Sequence, residues 1–268
     1  MQLAILFWVY KDIDTCLNRA EWLRRENPDT PIYCLYGGMM EDAERFESAL
    51  SGLTDDFYAF TEAWDPARKW VHGDQMLSHW YRDRGASLDW DTIFVAQWDM
   101  VLLTSVRTIC GALKKGELLL PGLRPIAEVE HFWNWIKPGP DRQAFDQFRN
   151  DVEARHNFPE DPLCCEFIAA AFPREFLARY ADEPYEAGFL EYKIPILAQS
   201  WGFGFCTDHQ MNPKWMREPG VSRWERFGAT LHSEKFPVRS IVLALNRALP
   251  WGARAFHPYT QPIPLPGG

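Results

Sequence analysis

Residues 3–10, LAILFWVY, run eight positions without a polar interruption. A strand with one face in water alternates apolar and polar residues. An unbroken run fits a strand covered on both faces, as in parallel sheets. The next ninety residues keep to that plan. Ile13, Cys16, Leu17, Ala20 and Leu23 recur at helical spacing over 13–26, with Asp14 or Thr15 near the start as a cap and Asn27-Pro28 as a stop. PIYCLYGG (31–38) predicts a second strand, 40–50 a helix, DDFYAFT (55–61) a third strand and 65–85 one long helix from Pro66 to Gly85. DTIFVAQWD (91–99) predicts a fourth strand. Strand and helix in alternation imply an α/β fold, a mostly parallel sheet with helices on both faces and right-handed crossovers.

The second half is less regular. A short strand and turn is expected over 116–125 and an aromatic stretch broken by prolines over 130–142. Helices are expected over 141–155 and on either side of Pro173 within 164–182. A helix leading into a strand is expected over 185–206, a last helix over 240–249, and then an extended, Pro-rich tail. With no repeat and no flexible linker, a single domain over 1–268 is expected. Residues 1–110 would form its regular half, and 111–268 an irregular half with the tail.

A formal charge of −9 argues against a general nucleic-acid surface, though not against a local basic pocket for phosphates. The apolar N-terminal stretch is too short to span a membrane and lacks the flanks of a signal peptide, and no later stretch reaches the length of a span. The six cysteines form no C-x-x-C pair. A soluble, reduced, cytoplasmic protein without a zinc site is therefore expected. Most of the 13 Trp are expected to fill the core. Neither a Gly-x-Gly-x-x-Gly turn, a P-loop nor a Gly-x-Ser-x-Gly elbow is present, which argues against a dinucleotide dehydrogenase, a P-loop enzyme and an α/β-hydrolase.

Gln97-Trp98-Asp99 interrupts two apolar runs, 93–96 and 100–103. An unpaired buried carboxylate is costly, so Asp99 either emerges at a strand end or has a charged partner. Ligands of such sheets bind at the carboxyl ends of the strands, where Tyr10, Thr61 and 97–99 fall.

These residues resemble the GT-A fold of nucleotide-sugar glycosyltransferases, in which an Asp-x-Asp element follows the fourth strand and holds a divalent cation on the donor diphosphate. Here Gln97 stands at the first acidic position and Asp99 at the last, usually the direct ligand. Glu191, with Gly202-Phe203 about a dozen residues on, resembles the acidic residue that opens a late helix in that family, although Tyr192 departs from the common Glu-Asp pair. His257-Pro258 resembles a late metal-ligating His. The resemblance covers roughly residues 3–110 and 185–260. It implies Mn²⁺ or Mg²⁺ on Asp99 and His257. It also implies Glu191 as the base in an inverting reaction, or as a support for developing positive charge in a retaining one. Glu166, Glu186 and Asp208 are rivals for that role. Tyr10, Lys11, Lys69, Asp74, Gln97 and Trp98 would meet the nucleotide diphosphate. Arg68 is expected on a solvated face. Trp70, His72 and Trp80 are expected to pack. Trp133 and Trp135 are expected in the acceptor half, as core or as sugar platforms. The resemblance implies a nucleoside-diphosphate sugar donor and an acceptor hydroxyl, with residues 1–110 as the nucleotide-binding half and 111–268 as the acceptor-binding half with the tail. The alternative is a non-catalytic nucleotide-sugar or glycan-binding protein on the same fold, favoured by the missing first Asp.

Overall fold

The computed structural model describes residues 1–183, 185–209, 211, 240–249 and 253–264. In chain order the elements are β1 (Leu3–Val9), α1 (Ile13–Glu26), β2 (Ile32–Tyr36), α2 (Ala43–Leu50), β3 (Asp56–Ala59), α3 (Pro66–Val71), α4 (Gly73–Asp83), β4 (Thr92–Gln97), β5 (Val101–Leu102), α5 (Val106–Ile109), β6 (Glu117–Leu119), β7 (Arg124–Pro125), α6 (Ile126–Val129), α7 (Pro140–Arg155), β8 (Leu163–Cys164), β9 (Ala169–Pro173), α8 (Arg174–Asp182), α9 (Leu190–Ser200) and β10 (Gly204–Cys206). A helix over Ser240–Ala248 and β11 (Ala255–Phe256) follow.

All seven residues of β1 are buried, as the unbroken apolar run predicts. Seven strands form the central sheet in the order β10-β6-β9-β4-β1-β2-β3. Only β9 runs antiparallel, to both β4 and β6. The mostly parallel α/β architecture expected from the sequence is therefore met. Residues beyond 110 contribute β6, β9 and β10 to the same sheet.

Alternate residues of a strand face opposite ways, and both faces are covered here. Ala4, Leu6 and Trp8 pack with Leu77 and Trp80 of α4 and Phe176 of α8. Leu3, Ile5, Phe7 and Val9 pack with Cys16, Ala20 and Leu23 of α1 and Phe46 of α2. The six cysteines are buried and unbridged. Among the described residues no helix is long and apolar enough to cross a membrane.

Two expectations are corrected. Residues 169–173 are a buried strand rather than helix before Pro173. Ala169 to Ala171 favour a helix by only a few tenths of a kcal/mol each, roughly, over other residues. Filling the gap between β4 and β6 satisfies their backbone groups and lets small side chains lie under helices on both faces. Ala169 pairs with Ala96, and Ala171 with Phe94.

The long helix over 65–85 is broken at His72, whose φ of −111° and ψ of 35° leave helical space. Gly73 then starts α4 against the Trp8 indole. A Cβ there would lie 2.1 Å from Trp8 Cη2. Gly73→Ala should therefore force a packed ring aside. We expect a loss of about 1–3 kcal/mol in urea unfolding, where an unobstructed helical Gly→Ala change would stabilise.

The described tail folds back onto α1. β11 pairs with β5. Arg19, 1% exposed, donates from Nη2 to the carbonyls of Tyr259 and Gln261, each at 2.7 Å. The Asn18 side chain bonds both the N–H (2.9 Å) and the carbonyl (3.0 Å) of Ile263.

Candidate active site

A cavity of about 680 Å³ opens at the carboxyl ends of β1 and β4. It is lined by Trp8, Tyr10 and Gln97, by the segment after β2 and α3, by residues 166–168 and 189–191, and by His257; Asp99 is not among the lining residues. It occupies the position that the strand-end rule gives for ligands of open parallel sheets.

Tyr10 follows β1 and stands edge-on to Trp98, with centroids 5.7 Å apart. Burial, reinforced by the charge of Asp99, pushes its phenol up to about 12, so it is neutral near pH 7. The Lys11 ammonium lies 5.0 Å from the Trp98 ring and 5.7 Å from that of Tyr10. Trp98 itself is buried and does not line the cavity; it packs against Tyr10 and Lys11. Lys69 lines the cavity and donates to the Gly38 carbonyl at 2.6 Å, and burial lowers its pKa.

Asp99 sits in the turn after β4 and is 7% exposed. Its Oδ1 lies 3.2 Å from His257 Nε2. The buried Arg19 guanidinium is close enough to feel its charge. The carboxylate between two apolar runs is thus both at a strand end and beside basic groups. Its backbone carbonyl also accepts from the Tyr259 N–H at 2.7 Å, which ties the tail to this turn.

Among the described residues no three His, Cys, Asp or Glu side chains converge to hold a metal. Asp99 and His257 offer two donors at a spacing that one ion spans. That suits a cation that draws its remaining ligands from water and substrate phosphate. The donor set fits Mg²⁺ or Mn²⁺ held in that way, and does not fit an all-protein cage.

Glu191 lies in the first turn of α9 and lines the cavity. Its Oε1 accepts from the Phe167 N–H at 3.0 Å, and its backbone carbonyl from the Cys165 N–H at 2.8 Å. Burial raises its pKa well above the ordinary carboxylate range. The charge of Glu166 adds to the rise, and the Phe167 hydrogen bond opposes it. A carboxyl so perturbed in a cleft is a candidate for proton transfer. Of its rivals, Glu166 also lines the cavity, whereas Glu186 and Asp208 are exposed and outside it.

The Gln97 side chain turns toward residues 166–168. Its Nε2 donates to the carbonyls of Phe167 (3.0 Å) and Ile168 (3.4 Å).

Asp74 is elsewhere. It is 1% exposed and away from the cavity, with Oδ2 2.5 Å from Lys193 Nζ and bonded by the Tyr180 hydroxyl at 2.5 Å. Lys193, wholly buried, has no spacing signal to announce it. The one cue is a lysine inside the otherwise apolar run YKIPIL.

Trp80 packs in the core as expected, and Trp133 is buried. Trp70 does not pack fully. It is 59% exposed, lines the cavity and meets Trp135 and Phe189, each with centroids 5.5 Å away. It sits on a short helix with no buried residue, so the core cannot draw it in.

No family model matches the chain. No curated protein matches it either. Among solved structures, it is similar to the crystal structure of mouse xyloside xylosyltransferase 1 in its apo form, at 11% identity and a TM-score of 0.46. That alignment covers 98% of this chain and 100% of the other. So loose a likeness carries nothing about substrate or mechanism.

Proposed function

We propose that this protein is a glycosyltransferase that moves a sugar from a nucleoside-diphosphate sugar to an acceptor hydroxyl. One observation carries the reading. A buried carboxyl, Glu191, lines one strand-end cavity together with Lys11, Lys69 and His257, and His257 is paired with Asp99 just outside the lining, a set suited to an anionic leaving group.

Glu191 takes the proton of the acceptor hydroxyl. The acceptor oxygen then bonds to the anomeric carbon, and the bond from that carbon to the diphosphate oxygen breaks with its electron pair on the diphosphate. Lys11 and Lys69 supply positive charge toward that departing anion. Tyr10, held by Trp98, offers its ring and neutral hydroxyl to the nucleoside. Asp99 and His257 would hold a divalent cation, which supplies further charge neutralisation at the diphosphate.

The test is thermal denaturation with UDP, GDP, CDP, ADP and dTDP, each with and without Mn²⁺. A native-state ligand raises the melting temperature by mass action. One diphosphate should raise it, and more so with Mn²⁺. Asp99→Asn should stay folded and keep any metal-independent shift but lose the Mn²⁺-dependent increment. A full increment in Asp99→Asn would remove it as a ligand. No shift with any diphosphate in folded wild-type protein would sink the donor assignment.

A further inference from the structure

Gln97 stands where the resemblance places an acidic residue. It makes two hydrogen bonds across the sheet end to consecutive carbonyls, Phe167 O and Ile168 O. The N–H of that same Phe167 donates to Glu191 Oε1, and the N–H of Cys165 donates to the Glu191 carbonyl. The 165–168 segment is thus held by β4 on one side and holds Glu191 on the other. A carboxylate at position 97 would present oxygens, not hydrogens, to the two carbonyls and could make neither bond unless protonated.

We propose that Gln97 is a positioning residue for Glu191: it fixes the turn at 167–168 so that the Phe167 N–H aims and holds the Glu191 carboxylate in the cavity. The proposal rests on the reading of Glu191 as the base only for its functional meaning; the positioning itself can be measured without turnover. A hydrogen bond to the charged form of a carboxyl lowers its pKa. Freeing the turn removes that bond, so Glu191 should become harder to ionise. The titratable groups around it are Glu166 and the thiols of Cys164 and Cys165, both of which feel the Glu191 charge. Arg124 and Glu128 face Cys164 from the adjoining segment. Position 97 carries no charge in the wild type or in the variants below.

The experiment uses the full chain with ¹³C-carboxyl-labelled glutamate, the Glu191 resonance being assigned with Glu191→Gln. Gln97→Met keeps the length and loses the donor. Its Glu191 resonance should titrate at higher pH than in the wild type, and the Phe167 amide should lose hydrogen-exchange protection. With an active donor–acceptor pair, kcat should fall by about tenfold or more with the donor KM unchanged, and the acid limb of the pH profile should move to higher pH. Gln97→Ser, too short to reach either carbonyl, repeats the measurement if the methionine is not accommodated. An unchanged Glu191 titration and unchanged Phe167 protection in a folded variant overturn the proposal. If the titration moves while Glu191→Gln turns over normally, the positioning stands and the assignment of Glu191 as base falls.

Discussion

Glu191→Gln is expected to lower turnover by about 10²–10⁴-fold, the usual worth of a positioned general base, with nucleotide binding retained. The glutamine keeps the size and can still accept from the Phe167 N–H, but it cannot take a proton. The pH dependence follows from the same group. A base works only when ionised, and the Glu191 pKa is raised by burial and by Glu166. Wild-type kcat/KM should therefore rise with pH through a limb above the ordinary carboxylate range, and the residual activity of Glu191→Gln should lack that limb. Stability moves the opposite way. A carboxyl whose folded pKa is raised binds its proton more tightly in the native state. Folding therefore loses stability as pH rises from the unfolded to the folded pKa, and the loss is complete above both. At neutral pH, Glu191→Gln should be as stable as the wild type or more so. Equal losses of turnover and nucleotide affinity, read by single-turnover kinetics and calorimetry, would mean that Glu191 is not the base.

Lys193→Met is expected to be the most destabilising single change considered. Lys193 and Asp74 are 0% and 1% exposed in their side chains and lie 2.5 Å apart, with Lys193 also donating to the Tyr185 carbonyl at 3.0 Å. Removing one partner leaves a buried carboxylate whose remaining bond is from Tyr180, at a cost of about 3–5 kcal/mol. For a chain of this size that lowers the melting temperature by about 10 °C. Because two buried charges are expensive to desolvate, replacing the whole set should be far milder. Lys193→Met with Asp74→Leu and Tyr180→Phe should recover most of the loss in urea unfolding. A triple variant no more stable than the single one would mean that the pair contributes net stability.

How far this could be read from the sequence depended on the range of the forces involved. β1, β2 and β4 were legible because burial on both faces leaves an unbroken apolar run. α1 was legible because one buried stripe leaves a 3.6-residue period. The strand at 169–173 was not, because three alanines and a phenylalanine carry no period of their own; the gap between β4 and β6 decides their conformation. The break at His72–Gly73 depends on the Trp8 ring, sixty-odd positions away in sequence. Of the residues the strand-end rule named, Tyr10 and Gln97 line the cavity, Asp99 lies just outside its lining and Thr61 is exposed and apart from it; the resemblance added Glu191 and His257. The Asp74–Lys193 pair and the two carbonyls that receive the Gln97 amide are long-range matches that no local spacing encodes.

The tail's attachment to α1 has a thermodynamic consequence for the cavity. Arg19 and Asn18 hold the segment that follows His257, and together with the β5–β11 pairing and the Tyr259 bond to the Asp99 carbonyl they keep His257 beside Asp99. Any ligand that engages His257 therefore favours the docked tail over an undocked one, and docking strengthens that ligand's binding by the same factor. A substitution at Arg19, which does not line the cavity, would thus act on binding there by shifting that population as well as by changing the charge beside Asp99.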